Sequence, residues 1–433
     1  MKIIETRWMS GVLIIILLMS LLSIQGCATV SHWNSVPINF IGKVTIPGMP
    51  DIRSDMADPD PIVMRKSLID SFKQEGKDDY STNALGIKIY PVLAVSAGGP
   101  NGAYGAGLLK GWSKQGTRPL FKIITGVSSG AVIALCAFLG KDYDDQLEEF
   151  FTTMSTRDIM KQNNIFSILF GNSLMSPSPL VKKISVIVNN ELISKVAKEH
   201  MRGRRLFIGT VNLDAQEFDV WDMGALACKG GADSVEMFRK ILMASSSMPM
   251  VFPPVYFKVI SATGELYDEI HVDGGAMREV FYIDRLTKNM EGDAMVSGID
   301  PSKYRPKIYV LVTSYMSPNR QQVKHNLVDI GIRALAALEA EAYNGDTYRL
   351  YAFAQKRGLD FNLAYIPADF KPNSKEYFDT KEMQRLFMRG YNDAINGYKW
   401  YKTPPGYASE NESLEKTERK KGADKAKSIK LVE

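Results

Sequence analysis

Residues 121–139 read FKIITGVSSGAVIALCAFL. An apolar run through Ile123 and Ile124 ends at Gly126, Ser128 follows between Gly126 and Gly130, and an apolar helix pattern begins at Ser129. A strand that turns sharply on a serine and leaves at once as a helix has the layout of a nucleophile elbow. Such a turn forces unusual dihedrals on Ser128, and the two glycines remove side chains that would collide around it. The hydroxyl then projects at a helix N-terminus, where free N–H groups and the helix dipole favour developing negative charge. The Gly-x-Ser-x-Gly spacing alone says little, since ordinary composition supplies about 0.15 chance matches in a chain this long. Taken by itself the stretch also reads as a serine-capped glycine turn. The flanking strand and helix give it weight.

Outward from this unit the same alternation continues. Strands are expected at IKIYPVLAVSA (87–97), RLFIGTVNL (205–213), FDVWD (218–222), KIYVLVTS (307–314) and FNLAYIP (361–367), with helices near 103–115, 327–356 and 376–400. Strands alternating with helices argue for an α/β layered sheet. Residues 27–85 carry scattered prolines and weak periodicity and read as an N-terminal extension, 86–402 as the catalytic domain, and 403–433 as a charged tail too polar to fold alone. The apolar segment at 164–175 reads either as a helix packed on the sheet or as a lid that meets lipid.

Two further stretches carry glycines after a strand. VSAGGPNGAYGAG (Val95–Gly107) has the spacing of a dinucleotide loop, but Pro100 removes a donor. The acidic residue expected about 20 positions on is also absent. The amides of Gly98 and Gly99 suit instead the oxyanion of an acyl-transfer intermediate. In HVDGGAMREV (271–280), Asp273 closes a strand before Gly274 and Gly275, at the sheet's edge with little crowding. Taken alone, Asp273 also reads as a turn residue before glycine, the commonest use of Asp-Gly.

Together AGGPNG, GVSSG and DGG, in this order, resemble the patatin-like phospholipase family. RRLFIGTVNLDAQEFDVWD and ASSSMPMVFPPV (Ala244–Val255) agree with it, and the likeness runs from about Val92 to Trp400, with its motif core at about 92–290 and further helices and strands at 291–402. The resemblance implies a patatin-like fold, with a central, mostly parallel sheet and helices on both faces. It implies a lipid acyl hydrolase of phospholipase A or lysophospholipase type, with Ser128 as nucleophile and Asp273 as base of a dyad without histidine. Gly98 and Gly99 would be the oxyanion donors, with Gly102, Gly126, Gly130, Gly274 and Gly275 as motif glycines. Two positions depart from the family's pattern. Ala97 replaces the first glycine of the loop, and Asn101 stands where Arg or Lys is usual, removing a cation that would attract anionic head groups. An aspartate base needs a carboxyl pKa well above its ordinary ~3.9, which burial supplies.

Two other readings stay open: a Ser128–Asp273–His325 triad of α/β-hydrolase order, and a lipid-binding lipoprotein that keeps the scaffold without catalysis. The histidines give the triad little to work with. His325 lies in the polar SPNRQQVKHN, His200 beside MRGRR looks solvent-exposed, His271 packs near Asp273, and His32 lies close to the N-terminus. The three cysteines and four histidines do not cluster, so no metal is indicated and no cofactor is implied. A net charge of +5 spread without a basic stripe argues against nucleic acid. At the N-terminus, Lys2 and Arg7 precede the apolar Val12–Leu22, too short for a membrane span and apt for an export signal over residues 1–26. Ile24, Gly26 and Cys27 resemble a lipobox, with Gln25 less usual in it; Cys27 would then be lipidated. Ala28 follows where an inner-membrane aspartate could stand, which favours a lipid anchor in the outer membrane, facing the periplasm. Buried Cys136 is expected to pack as a small hydrophobe.

Overall fold

The computed structural model describes residues 34–162, 173–283, 290–317, 320–374 and 376–407. Cys27, the 1–26 leader, most of 164–175 and the tail beyond 407 lie outside the described residues. In chain order the main elements are β1 (Arg53–Asp55), α1 (Ile62–Gln74), β2 (Lys88–Val95), α2 (Gly102–Gln115), β3 (Ile123–Gly126) and α3 (Ser129–Leu139). They continue with α4 (Asp144–Thr152), α5 (Ser178–Ile187), α6 (Asn190–Met201), β4 (Arg205–Asn212), β5 (Glu217–Asp222) and α7 (Gly231–Ser245). The last are β6 (Val255–Ile260), β7 (Leu266–Asp273), β8 (Tyr304–Tyr315), α8 (Leu327–Arg357), β9 (Asp360–Ile366) and α9 (Thr380–Ile395).

Nine strands form one sheet, ordered β1-β5-β4-β3-β2-β8-β9, with β7 also paired to β4 and β6 to β7. The run β4-β3-β2-β8-β9 is parallel throughout. β1, β5, β6 and β7 attach antiparallel, so the sheet is mixed at one flank. Helices cover both faces of the parallel strands, and every residue of β4 is buried, as expected for strands wrapped on both sides. Alternation divides the core. Leu93 and Val95 pack with α2 and α3, while Val92 and Ala94 pack with Tyr343, Leu350 and Tyr351 of α8. The extension contributes β1 as an edge strand, and Ile52, Met64 and Leu68 enter the core.

Strand β4 aligns the site. On one side it pairs first with β3, Ile208 opposite Gly126, and two residues later with β7, Thr210 opposite Asp273. β3 and β7 therefore approach each other end to end, and the residues leaving β3 meet those closing β7.

Candidate active site

Ser128 follows β3 with φ 56° and ψ −127°, a conformation rare for a residue with a side chain. Its N–H donates to Ser245 Oγ at 2.9 Å, and Ser245 Oγ donates to the Gly209 carbonyl at 2.8 Å, so the turn is pinned to β4. The packing accounts for the flanking glycines. A Cβ on Gly126 would stand 2.4 Å from the Gly130 carbonyl oxygen, and one on Gly130 2.2 Å from that of Ser96. Gly102 abuts the Phe151 ring and Gly274 the Gly209 carbonyl, each with a built Cβ under 3.0 Å from its neighbour.

Asp273 is not at an open edge, as its sequence setting suggests. It pairs with Thr210, its N–H donates to the Ser247 carbonyl at 3.0 Å, and it is 5% exposed. The edge is closed because β7 folds back onto β4. Asp273 Oδ1 accepts from Gly275 N–H at 2.8 Å, and the Ser128 hydroxyl lies close enough to the same carboxyl to favour its charged form. Burial pushes the Asp273 carboxyl up to about 7, the Ser128 hydroxyl and the Gly275 amide pull it back, and the nearby Glu339 adds to the rise. A buried carboxyl poised near neutrality beside a serine hydroxyl is equipped to take that proton.

The loop after β2 lies over Ser128. Thr313 of β8 holds it, donating its N–H to Ser96 Oγ at 2.8 Å and its hydroxyl to the Ala97 carbonyl at 2.9 Å. Ala97 N–H donates to the Glu279 carbonyl at 2.8 Å. Gly98 presses on Thr313, and Gly99 has φ +53° with the Tyr377 hydroxyl above it. Among the described residues no hydrogen bond occupies the Gly98 or Gly99 amide. Asn101 ends this loop half-buried, with its side chain uncommitted to a cap.

Ser128 and Asp273 stand where two spaces meet. One is a cleft of about 1380 Å³ between the glycine loop and α8. The other is a narrow pocket of about 70 Å³ walled by Val132, Phe150, Phe151, Leu180, Phe252 and Met383. The arrangement can hold an apolar chain on one side of the serine and a polar group on the other.

The histidines are elsewhere. His325 is exposed and does not line the cleft. His200, expected at the surface, is 8% exposed: its ring packs on Gly224, with Asp222 at 3.6 Å. His271 is fully buried with Nδ1 3.0 Å from Thr210 Oγ1. Trp221 Nε1 donates to the same hydroxyl, and His271 Nε2 faces Glu269 at 3.4 Å. Among the described residues, Asp219, Glu269 and His271 are the group near enough together to hold a metal. The Arg53 guanidinium occupies that place, 2.5 Å from Glu269 and 3.3 Å from Asp219. Cys136 is buried and Cys228 exposed.

Several contributors were not singled out from the sequence: Ser245, Ser247, Thr313 and Glu279. ASSSMP and DGGAMRE mark their neighbourhoods, but nothing local assigns their contacts.

Residues 93–282 match the family model described as patatin-like phospholipase. Among solved structures, VipD from Legionella pneumophila is similar over 73% of this chain and 70% of that one, at 10% identity and a TM-score of 0.32. No curated protein matches the chain. The stretch that holds Ser128 and Asp273 is thus a patatin-like phospholipase domain, which implies hydrolysis of lipids.

Proposed function

We propose that this patatin-like domain cleaves carboxylic esters of phospholipids or lysophospholipids through an acyl-serine intermediate, using Ser128 and Asp273 alone. The observation that supports this most directly is the Ser128 hydroxyl beside a buried carboxyl that burial raises to about 7, both at the junction of the cleft and the apolar pocket. In acylation Ser128 Oγ attacks the ester carbonyl carbon while Asp273 takes its proton. The carbonyl oxygen becomes an oxyanion and moves against the free amides of Gly98 and Gly99, each such donor being worth about 2.7–4 kcal/mol. Collapse breaks the bond to the alcohol, which leaves with the proton from Asp273. Water then donates a proton to the same carboxylate and attacks the acyl carbon, and Ser128 recovers its proton as the fatty acid departs. The narrow apolar pocket would take the acyl chain and the cleft the rest of the lipid.

Two measurements test this reading. A fluorophosphonate should label wild-type protein once, at Ser128, and product analysis on phospholipids, lysophospholipids, triacylglycerols and p-nitrophenyl esters should find free fatty acid. His325→Ala should keep most of the activity. A folded His325→Ala that loses it by orders of magnitude would establish a triad instead, and no release from any ester would leave a binding module.

We further infer that Cys27 carries the lipid anchor of an exported outer-membrane protein facing the periplasm, from the apolar leader and the IQGC stretch. No helix among the described residues is long and apolar enough to span a membrane. Mass spectrometry of the mature N-terminus should find an acylated Cys27, and an unmodified chain beginning at Thr29 would refute the anchor.

A further inference from the structure

The cleft beside Ser128 carries a charge pattern that ester hydrolysis does not require. Its lining holds eight carboxyl side chains against two cationic ones, Lys324 and Arg333. Three of the carboxyls belong to the neighbourhood of the nucleophile: Asp273, Glu279 and Glu339. Glu339 comes from α8, across the cleft from Ser128. It is half-buried, and burial raises its carboxyl pKa with no donor or cation to offset the rise.

Glu279 gives a second, independent sign. It is 2% exposed and lines the cleft, yet its Oε2 meets no hydrogen-bond partner among the described residues. Burial and the neighbouring carboxyls of Asp273 and Glu339 push the Glu279 carboxyl well above the ordinary carboxylate range, and Tyr343 lies beside it. A buried oxygen without a partner is costly by about 1–3 kcal/mol. Folds retain such a group where something outside the chain supplies the missing interaction. The rings of Tyr343 and Tyr377 are within electrostatic reach of these carboxyls. Carboxylates with aromatic faces are the surroundings that favour an organic cation. Asn101, on the rim of the same cleft, contributes no charge that would draw an anion.

We propose that the cleft is a head-group subsite for lipids bearing an ammonium group, with Glu339 as the carboxylate that pairs it and the unpartnered Glu279 oxygen as a polar floor beneath. The proposal rests on Ser128 being the ester nucleophile, which places the head group on the cleft side. Ethanolamine and choline head groups share the ammonium, whereas a glycerol head group lacks it.

The test compares wild type, Glu339→Gln and Glu339→Lys in the full chain. Each is given phosphatidylethanolamine, phosphatidylcholine and phosphatidylglycerol of one acyl composition in nonionic mixed micelles. The reading is the ratio of kcat/KM between lipids, in which any change of basal rate cancels. Wild type should favour both ammonium lipids over phosphatidylglycerol by about tenfold, the size of one partly desolvated charge pair. Glu339→Gln should bring the ratio near one, chiefly through KM, and Glu339→Lys should invert it. Equal rates in wild type, or a preference that survives both substitutions, would overturn the proposal. So would hydrolysis that needs added calcium and ignores the head group, since the carboxylates would then serve a metal. If no ester is cleaved at all, it is the hydrolase reading that fails. Calorimetry of Ser128→Ala with dihexanoyl phosphatidylethanolamine and phosphatidylglycerol then decides the subsite separately, equal affinities counting against it.

Discussion

Lys122, Arg204 and Arg205 stand at the N-terminal end of β3 and β4, each no more than 2% exposed. Every one of these cations is met. Lys122 donates to the Ser71 carbonyl at 2.8 Å and to Glu75 at 2.6 Å. Arg204 donates to the carbonyls of Phe121 and Phe138 and to Glu199, and Arg205 to Ser67, Gln74 and the His200 carbonyl. At the other end of the same strands the buried charges are carboxyls, and they are poorly served. Asp273 accepts from one amide, and among the described residues a Glu279 oxygen and the neighbouring Ser129 hydroxyl have no partner. Both ends bury ionisable groups against the usual preference. The paired end ties α1 and α6 to the sheet, while the unpaired end keeps groups whose protons can move. The expense of the second end is strain and desolvation, and a firmly assembled sheet beneath it can carry that.

The contrast is sharpest in the proposed dyad. Ser128→Ala and Asp273→Asn should each lower hydrolysis by about 10⁴–10⁶-fold, and the double variant no further, because the two act as one unit. Neither should lower the melting temperature. The folded chain holds the Asp273 proton more tightly than the unfolded chain, with a carboxyl at about 7 against 3.8. That part of the stability is therefore full below about pH 4 and lost as pH climbs through about 7. Asp273→Asn should flatten this slope, and wild-type kcat/KM should rise over the same interval as the base loses its proton. A destabilised Asp273→Asn would break the comparison, since it would make the carboxyl structural.

Gly98→Ala should have an intermediate effect. Its new Cβ would lie 2.2 Å from Thr313 Oγ1 and 2.3 Å from the Thr313 carbonyl oxygen, so the loop must shift. Loss of aligned amides should lower kcat by about 10²–10³-fold with the fold kept, as read by steady-state kinetics beside circular dichroism. Unchanged kcat would remove the loop from the proposed reaction.

Glu75→Ala should do the reverse: little change in turnover per folded molecule and a loss of about 3–5 kcal/mol in stability, the usual result of stripping one partner from a buried pair. Burial already pushes Lys122 down to about 8. The unfolded chain thus binds that proton more tightly, and stability rises with pH between about 8 and the ordinary lysine range. Denaturant unfolding should show a smaller loss at about pH 9.5 than at about pH 7. Altered kcat in Glu75→Ala would show that the two ends are coupled.

The same division explains what could be read from the chain alone. The unit at 121–139 was legible because all its signals are local: an apolar strand, two glycines and an apolar helix. The parallel strands were legible as apolar runs. β1 was not, since three residues carry no period, and β6 was not, because Tyr256 and Lys258 face outward and dilute its pattern. His200 was misplaced for the reason that buried Arg204 and Arg205 lie next to it: EHMRGRR has the composition of a solvated surface. Its partners, Asp222, Ser67 and Phe138, arrive from distant parts of the chain. In the site, Ser128 and Asp273 could be named from glycine motifs, whereas Ser245, Thr313 and Glu339 depend on tertiary approach.

The shared pairing of β3 and β7 along β4 acts as a ruler. Gly126 and Asp273 are referenced to positions two residues apart on one strand, about 6.6 Å along its axis. Backbone hydrogen bonds, and not the packing of the two side chains, thus set the spacing between the proposed nucleophile and base. A slip of β7 by one residue would turn Asp273 to the opposite face of the sheet. Misregistered molecules would accordingly be silent, because no intermediate alignment exists in which the carboxyl is merely somewhat displaced.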